Sequence, residues 1–296
     1  MLKKSLALIA AGTVLCGFSA SAADYYGTLQ KIKESGTIVL GHRESSVPFA
    51  YIGPDQKPIG YSMDLCAKIV EAVKAELKLE KLNVKYVPVT PQTRIPLIAN
   101  GNINIECGST TNTLTRQQQV DFAYTTYLTG TKLLVKKSSG IKEVEDLKGK
   151  AIALAQGTTN ERAIKEAIAK LKIADVKIQN VKDHAEGFLA LETDRVDAYS
   201  TDDIQLYGLI AKAKNPADYA VVGRFLSFDP YALMLSRDDS AFRLLVNKTL
   251  AALFRTGEIE QLYTKWFMSP IPGGTALNVP MDGTLKTNFM VQAFPE

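Results

Sequence analysis

The sequence predicts an α/β protein with two lobes. Segments with the hydrophobic pattern of strands alternate along the chain with segments that have the period of amphipathic helices. Ala151–Ala155 is almost purely apolar, as expected for a strand that is buried on both faces of a sheet. About 273 residues remain after a leader of 23 residues, which is long for one hydrophobic core and sufficient for two.

Residues 1–23 have the pattern of a cleaved secretory signal peptide. Lys3 and Lys4 form a basic start, Leu6–Phe18 is an apolar run too short to span a bilayer comfortably, and small residues follow at Ala20–Ala23. The mature chain contains no later run of 18 apolar residues. We therefore expect a soluble protein that is exported to the periplasm.

The first half of the mature chain predicts four helices and three strands. Ser62 is a plausible N-cap for one helix, in which Leu65, Ile69 and Val73 recur on one face. Another helix ends at Gly101. In order, the predicted elements are helix Leu29–Glu34, strand Thr37–Gly41, helix Met63–Leu77, strand Val84–Val89, helix Thr93–Asn100, strand Ile103–Glu106 and helix Gln117–Val120.

The second half continues the alternation until residue 267. Its predicted strands are Lys132–Lys136, Ala151–Ala155, Val176–Val181, Ala198–Ser200, Ala220–Gly223 and Tyr231–Ser236. Its predicted helices are Asn160–Leu171, Ala185–Thr193, Ile204–Lys212, Ala241–Phe254 and Glu258–Phe267, with a turn or short helix at Val144–Leu147. Met268–Glu296 is rich in Pro and Gly with little periodicity, and predicts a surface strap or a loose tail.

Charge and composition exclude several classes of function. The formal net charge of +4 falls to about +2 when the leader and its two lysines are removed, and no basic stripe marks a nucleic-acid partner. With only His42 and His184 available, and no cysteine pair at ligand spacing, we expect neither a metal nor a cofactor. Cys66 and Cys107 remain in the mature chain, either as a disulfide or as two buried free thiols.

Four polar turns, each directly after an apolar stretch, mark the candidate site. In open α/β sheets, ligands bind in the crevice outside the carboxyl ends of the strands. These turns are rich in hydroxyl groups and contain an arginine and an aspartate pair, which suits a small zwitterion better than a nucleotide. The turns are Gly41–Ser46, Cys107–Asn112, Gln156–Asn160 and Ser200–Asp203.

Several motifs resemble those of the glutamate/aspartate-binding subunits of bacterial amino-acid ABC importers, which are type II periplasmic binding proteins. The resemblance extends to about Pro272, and its most specific runs are Gly-His-Arg-Glu-Ser-Ser at 41–46 and Cys-Gly-Ser-Thr-Thr-Asn at 107–112. It implies two lobes, each a mixed sheet flanked by helices, joined by two hinge crossings near Gly130–Thr131 and Phe225–Asp229. Lobe one would contain residues 24–130 plus 229–296, and lobe two residues 131–228.

An acidic amino acid carries two carboxylates and one ammonium, and each must meet a matched partner when it is buried. Asp202 is the candidate for the ammonium, with Asp203 as the alternative. The resemblance implies Ser109, Thr111 and Arg116 for the α-carboxylate and Thr159 as a further contact. It also implies a pocket for the side-chain carboxylate that contains Arg43, Arg94 and His184. Similar proteins often have a serine where this chain has Pro91.

The resulting hypothesis is a monomeric periplasmic protein that captures L-glutamate or L-aspartate by hinge closure and delivers it to an inner-membrane ABC permease. Two alternatives share the fold. One is an exported dehydratase-like enzyme, for which Glu44, Glu106 and Asp202 are available acids or bases but no nucleophile–base pair is evident. The other is a receptor module that presents its ligand to a signalling partner.

Overall fold

The computed structural model describes residues 25–295, so the predicted signal peptide lies outside the described residues. Two five-stranded mixed sheets and their flanking helices form two lobes, and this confirms the predicted fold class. Across the first sheet the strands are β5 (Asn83–Pro88), β1 (Thr37–His42), β6 (Ile105–Cys107), β13 (Asp229–Ser236) and β7 (Val120–Thr129). Across the second they are β10 (Lys177–Val181), β9 (Ala151–Ala155), β11 (Ala198–Asp202), β8 (Thr131–Lys136) and β12 (Tyr219–Val222).

Both sheets combine a parallel half with an antiparallel half. In the first sheet β1 runs parallel to β5 and β6, whereas β13 is antiparallel to β6 and β7. In the second, β9 runs parallel to β10 and β11, and β8 is antiparallel to β11 and β12. A small three-stranded sheet follows β1 in the sequence and contains β2 (Ser45–Ser46), β3 (Ala50–Ile52) and β4 (Pro58–Ile59).

The helices pack on the sheets through apolar faces that the sequence pattern anticipates. Leu65, Ile69 and Val73, for example, are fully buried in the core of the first lobe. Within residues 25–295, none of the helices combines the length and apolar character that a membrane span requires. The helices are α1 (Gly27–Ser35), α2 (Tyr61–Glu76), α3 (Arg94–Ala99), α4 (Leu114–Gln117), α5 (Thr159–Leu171), α6 (His184–Glu192), α7 (Asp203–Lys212), α8 (Ser240–Thr256), α9 (Glu258–Tyr263) and α10 (Gly283–Gln292).

Two local predictions in the first half of the chain are wrong. The predicted helix at Gln117–Val120 is instead the short α4, which ends at Gln117, and Val120 begins the ten-residue strand β7. The Thr113 side chain accepts a hydrogen bond from the Arg116 N–H, and this cap starts the helix earlier. Ser62 is not the N-cap of α2, because its hydroxyl donates instead to the Gly108 carbonyl at 2.7 Å.

The structure also decides between alternatives that the sequence leaves open. Cys66 of α2 and Cys107 of β6 form a disulfide, which ties the helix to a central strand. The C-terminal segment is a strap rather than a loose tail, because α10 packs against β7 and α8. Asp282 caps α10 by accepting from the Leu285 N–H, and Leu285 is buried in the core of the first lobe.

The strap should therefore contribute to stability. Phe289 of α10 is 5% exposed and stacks on Phe254 of α8, with ring centroids 4.7 Å apart. We expect Phe289→Ala to lower the free energy of unfolding by about 3–5 kcal/mol, because it leaves a cavity in the core. Met290→Ala on the same helix is the matched control, since Met290 is 77% exposed, and it should change stability by less than about 0.5 kcal/mol. Urea unfolding of both variants measures the difference, and equal stabilities would mean that α10 is not part of the cooperative core.

Candidate ligand-binding site

A small cavity lies between the two lobes, where β1, β6, β9 and β11 end in the four polar turns. Seven of the eight site residues that the sequence predicts line it, and three further residues, Thr158, Asn160 and Gln205, complete the wall. The eighth, Arg116, is not among the lining residues, although it bonds to the backbone of two of the turns. The seven are Arg43, Arg94, Ser109, Thr111, Thr159, His184 and Asp202.

One side of the cavity contains two arginines and a histidine. Arg43 follows β1, Arg94 is the first residue of α3, and His184 is the first residue of α6; all three are at most 2% exposed. Burial, and then the nearby Arg94, lower the pKa of Arg43 to about 10. Burial, followed by the charges of Arg43 and Arg94, holds the pKa of His184 well below its usual range. At neutral pH this wall therefore carries two guanidinium charges and a neutral imidazole.

Both guanidinium groups have donors that no described residue satisfies. Arg43 Nη2 and Arg94 Nε are buried and have no hydrogen-bond partner within residues 25–295. A buried unsatisfied donor costs about 1–3 kcal/mol, and more when the group is charged. The arrangement suits an anion with several acceptor oxygens, and a carboxylate is such an anion.

Glu106 is a buried carboxylate that balances these cations. Its Oε2 accepts from the Thr110 hydroxyl at 2.7 Å, and the Thr110 Oγ1 accepts from Arg94 Nη1 at 2.6 Å. Burial lowers the pKa of Arg94, and the charge of Glu106 opposes that shift. A Cβ on Gly108 would collide with Glu106 Oε1, so any side chain at this position would displace the carboxylate. Glu106 is not among the predicted site residues, but its position as a single acid at the end of an apolar strand could have indicated it.

Asp202 is the carboxylate among the described residues that line the cavity. Its Oδ1 accepts from Asn160 Nδ2 at 2.8 Å and its Oδ2 accepts from the Tyr231 hydroxyl, while Asn160 Nδ2 also donates to Thr131 Oγ1 at 2.7 Å. Burial, and then the negative charge of Asp229, raise the pKa of Asp202 well above its usual range. Asp203, the alternative, accepts from the Thr129 hydroxyl and from the N–H of its own neighbour, and is not a lining residue.

The remaining predicted residues connect the two lobes. Arg116 donates to the Thr111 carbonyl at 2.8 Å and, across the lobes, to the Gly157 carbonyl at 3.1 Å. Burial, followed by the charge of Arg94, lowers the pKa of Arg116 to about 9. The hydroxyls of Thr111 and Thr159 lie 3.2 Å apart, and that of Thr111 donates to Asp229 at 2.9 Å.

Thr158 and Thr159 have separate roles at the start of α5. The Thr158 hydroxyl accepts from the Glu161 N–H and caps the helix. Thr159 is thereby free to point its hydroxyl at the other lobe, where it meets Thr111. Both threonines line the cavity, and Thr159 stays a candidate contact.

The geometry has the features of a receptor for a small charged molecule, and the comparisons agree. The chain matches the bacterial extracellular solute-binding proteins, family 3, over residues 38–269. It belongs to this family. Like the other members, this family 3 protein is built as a binder of solutes, and the resemblance that its motifs indicated is confirmed.

Named relatives of this family 3 protein bind acidic amino acids. It is 50% identical over 267 residues to the L-glutamate/L-aspartate-binding protein of Pseudomonas aeruginosa, covering 90% of this chain and 88% of the relative. It is 44% identical over 282 residues to the glutamate/aspartate import solute-binding protein of Escherichia coli K12, covering 95% and 92%. Both relatives are named as binding proteins rather than as enzymes, so the dehydratase alternative is not favoured.

A solved structure supports the fold. An ancestral amino acid-binding protein, AncCDT-1, a precursor of cyclohexadienyl dehydratase, superposes with a TM-score of 0.70 at 28% identity. The similarity covers 81% of this chain and 99% of that chain. The family 3 fold of this protein is therefore found in solved amino-acid-binding proteins.

The raised pKa of Asp202 has a consequence for stability. A folded state that raises the pKa of a carboxyl binds its proton more tightly than the unfolded chain does, so stability falls as pH rises from about 4 toward the raised value. Asp202→Asn removes this titration. In protein stripped of ligand, the stability of the variant relative to wild type should therefore increase from pH 4 to 7.

Urea unfolding at a series of pH values measures this difference. Asp55→Asn, at an exposed aspartate in a turn, is the control and should follow the wild type. If the difference between Asp202→Asn and wild type stayed constant with pH, the pKa of Asp202 would not be raised in the folded protein.

Proposed function

We propose that this chain is a periplasmic receptor that binds L-glutamate or L-aspartate between its lobes and delivers it, as a monomer, to an inner-membrane ABC permease. The observation that carries the proposal is the pair of buried guanidiniums, Arg43 and Arg94, whose unsatisfied donors lie beside the cavity. The names of the relatives from Pseudomonas aeruginosa and Escherichia coli K12 support the choice of ligand and of partner.

The side-chain carboxylate of the ligand is assigned to Arg43, Arg94 and His184. His184 Nδ1 lies 2.6 Å from the Tyr199 hydroxyl. In the tautomer in which Nδ1 accepts from Tyr199, Nε2 carries the proton and donates. Three donors then face one carboxylate, two of them charged.

The α-carboxylate and the ammonium are assigned to the opposite part of the cavity. Ser109 offers a hydroxyl proton, whereas the Thr111 hydroxyl donates to Asp229 and lies against that of Thr159, so these two hydroxyls would turn toward the α-carboxylate when the ligand binds. Arg116 has five N–H donors, and two of its nitrogens already donate to backbone carbonyls. Asp202 takes the ammonium, because it is the carboxylate among the cavity-lining residues. The ammonium also favours the ionised form of Asp202, against the effect of its burial.

This charge arrangement selects acidic ligands over their amides. A glutamine side chain would place an NH2 group, which has no acceptor role, against Arg43 or Arg94 and leave a charged donor unpaired. Leaving such a group unpaired costs about 1–3 kcal/mol or more. We therefore expect glutamate and aspartate to bind more tightly than glutamine.

The lobes are proposed to divide at residues 130/131 and 228/229 and to close about these crossings. The crossings run side by side, because the Leu226 N–H donates to the Thr131 carbonyl at 3.0 Å and the Thr131 N–H donates to Ser227 Oγ at 3.0 Å. A Cβ on Gly130 would collide with the Ser227 carbonyl. The proposed lobes also meet where Gly208 of α7 packs directly on the Val47 carbonyl, because a Cβ would not fit there.

Arg43→Met tests the cationic pocket. Arg43 has an unsatisfied Nη2, and the change should weaken glutamate binding by about 10- to 100-fold, the value of a hydrogen bond to a charged group. Isothermal titration of ligand-stripped protein with L-glutamate, L-aspartate and L-glutamine measures this loss. The matched control is Arg224→Met, because Arg224 pairs with Glu143 and Glu145 at the surface. Wild-type protein that bound glutamine more tightly than both acids would contradict the proposed ligand.

Closure is tested separately by small-angle X-ray scattering. Saturating glutamate should reduce the radius of gyration of the ligand-stripped protein, because the ligand makes additional contacts in the closed form. Saturable binding with an unchanged radius of gyration would exclude hinge closure as the mechanism of capture.

A further inference from the structure

Gln205 is a buried residue of the cavity wall that none of the proposed contacts uses. It lies on α7, one turn after Asp202, and is 2% exposed. Its Nε2 donates to Ser109 Oγ at 2.9 Å and to the Tyr231 hydroxyl at 2.7 Å, so that it connects α7 of lobe two to lobe one. Its Oε1 is buried and has no hydrogen-bond partner among the described residues. An unsatisfied acceptor at a ligand cavity requires an explanation.

The neighbouring hydroxyl determines the orientation of the Gln205 amide. Tyr231 donates its only hydroxyl proton to Asp202 Oδ2, so the Tyr231 oxygen must accept from Gln205. Rotating the amide by 180° would place Oε1 against an oxygen that has no proton to give. The NH2 group therefore faces Tyr231 and Ser109, and Oε1 remains an acceptor without a donor.

The proposed ligand offers one kind of group that can satisfy Oε1. At neutral pH both carboxylates of glutamate or aspartate only accept hydrogen bonds, whereas the ammonium has three donors. Asp202 provides one partner for this ammonium and already accepts from Asn160 and Tyr231. Gln205, three residues along the chain on the same wall, provides a second acceptor.

We propose that Gln205 is a specificity-determining residue that recognises the ligand ammonium through Oε1, together with Asp202. Its two amide protons occupy the oxygens of Ser109 and Tyr231, which leaves the Ser109 hydroxyl proton for the α-carboxylate and directs the Tyr231 proton to Asp202. Gln205 thereby orients a donor toward the α-carboxylate and acceptors toward the ammonium. This inference rests on the proposed function, because it requires a ligand that carries an ammonium.

The test compares L-glutamate with glutarate, which has the same two carboxylates and no ammonium. Gln205→Leu removes the amide at similar volume. We expect the ratio of glutamate affinity to glutarate affinity to fall by about 10-fold or more, the value of a hydrogen bond to a charged group. A merely structural role, such as holding the lobes together, would weaken both ligands equally and leave the ratio unchanged. Calorimetry, with glutarate measured by competition, provides both affinities.

Gln92→Leu is the matched control. Gln92 Nε2 donates to Gln156 Oε1 at 3.1 Å, so this pair is also an amide hydrogen bond between the lobes, but it is exposed and outside the cavity. The ratio of glutamate affinity to glutarate affinity in Gln92→Leu should equal that of the wild type. An unchanged ratio in Gln205→Leu would overturn the inference, whereas wild-type protein that bound no acidic amino acid would overturn the proposed function itself.

A crystal structure of the wild-type protein with L-glutamate tests the contact without any variant. The inference requires Gln205 Oε1 within about 3 Å of the ligand nitrogen. A ligand nitrogen that contacts Asp202 but lies more than about 4 Å from Oε1 would exclude it while leaving the proposed function intact.

Discussion

The mutual neutralisation of buried charges between the lobes is the constraint on which the rest of this structure depends. An isolated buried charge costs several kcal/mol, so each guanidinium at this boundary needs a carboxylate within reach, and each carboxylate needs a donor. The structure meets this requirement only in part. Strand ends and helix starts bring the charged side chains together and have free N–H groups, but Arg43 Nη2, Arg94 Nε and Glu106 Oε1 have no partner among the described residues. The charged groups are Arg43, Arg94, Arg116, Glu106, Asp202 and Asp229.

Each lobe fixes the site residues that it contributes. In lobe one the Cys66–Cys107 disulfide fixes β6 next to Glu106, and Thr110 transmits the position of that carboxylate to Arg94. In lobe two Asn160 joins α5 to Asp202 at the end of β11. The contributions of both lobes are thus held by contacts within each lobe, which lowers the cost of ordering them when a ligand binds. A rigid half-site on each lobe is the arrangement that hinge closure needs.

The sequence predicts the fold class and most of the candidate site because both depend on patterns within short segments of the chain. A polar turn after an apolar strand is visible in the chain, and it locates Arg43, Ser109 and Asp202. Gln205 is different, because a glutamine on a helix has the appearance of a surface residue, and its contacts with Ser109 and Tyr231 are distant in the sequence. Strand β7 escapes the pattern for a related reason, since its interior threonines interrupt the alternation and its length is set by pairing with β13. In α10, exposed apolar residues beside the buried ones mask the helical period.

The close packing of Gly208 on Val47 allows affinity to be changed separately from chemical selectivity, although the two are usually linked in a receptor. Neither residue lines the cavity, and the contact is made by a backbone carbonyl and a glycine without a side chain rather than by any group that recognises a ligand. A methyl group placed there would act as a wedge, and larger side chains would act as thicker wedges. The affinity of the protein would then be graded by volume while its chemical selectivity stayed the same. A series of sensors with different working ranges would follow from one scaffold.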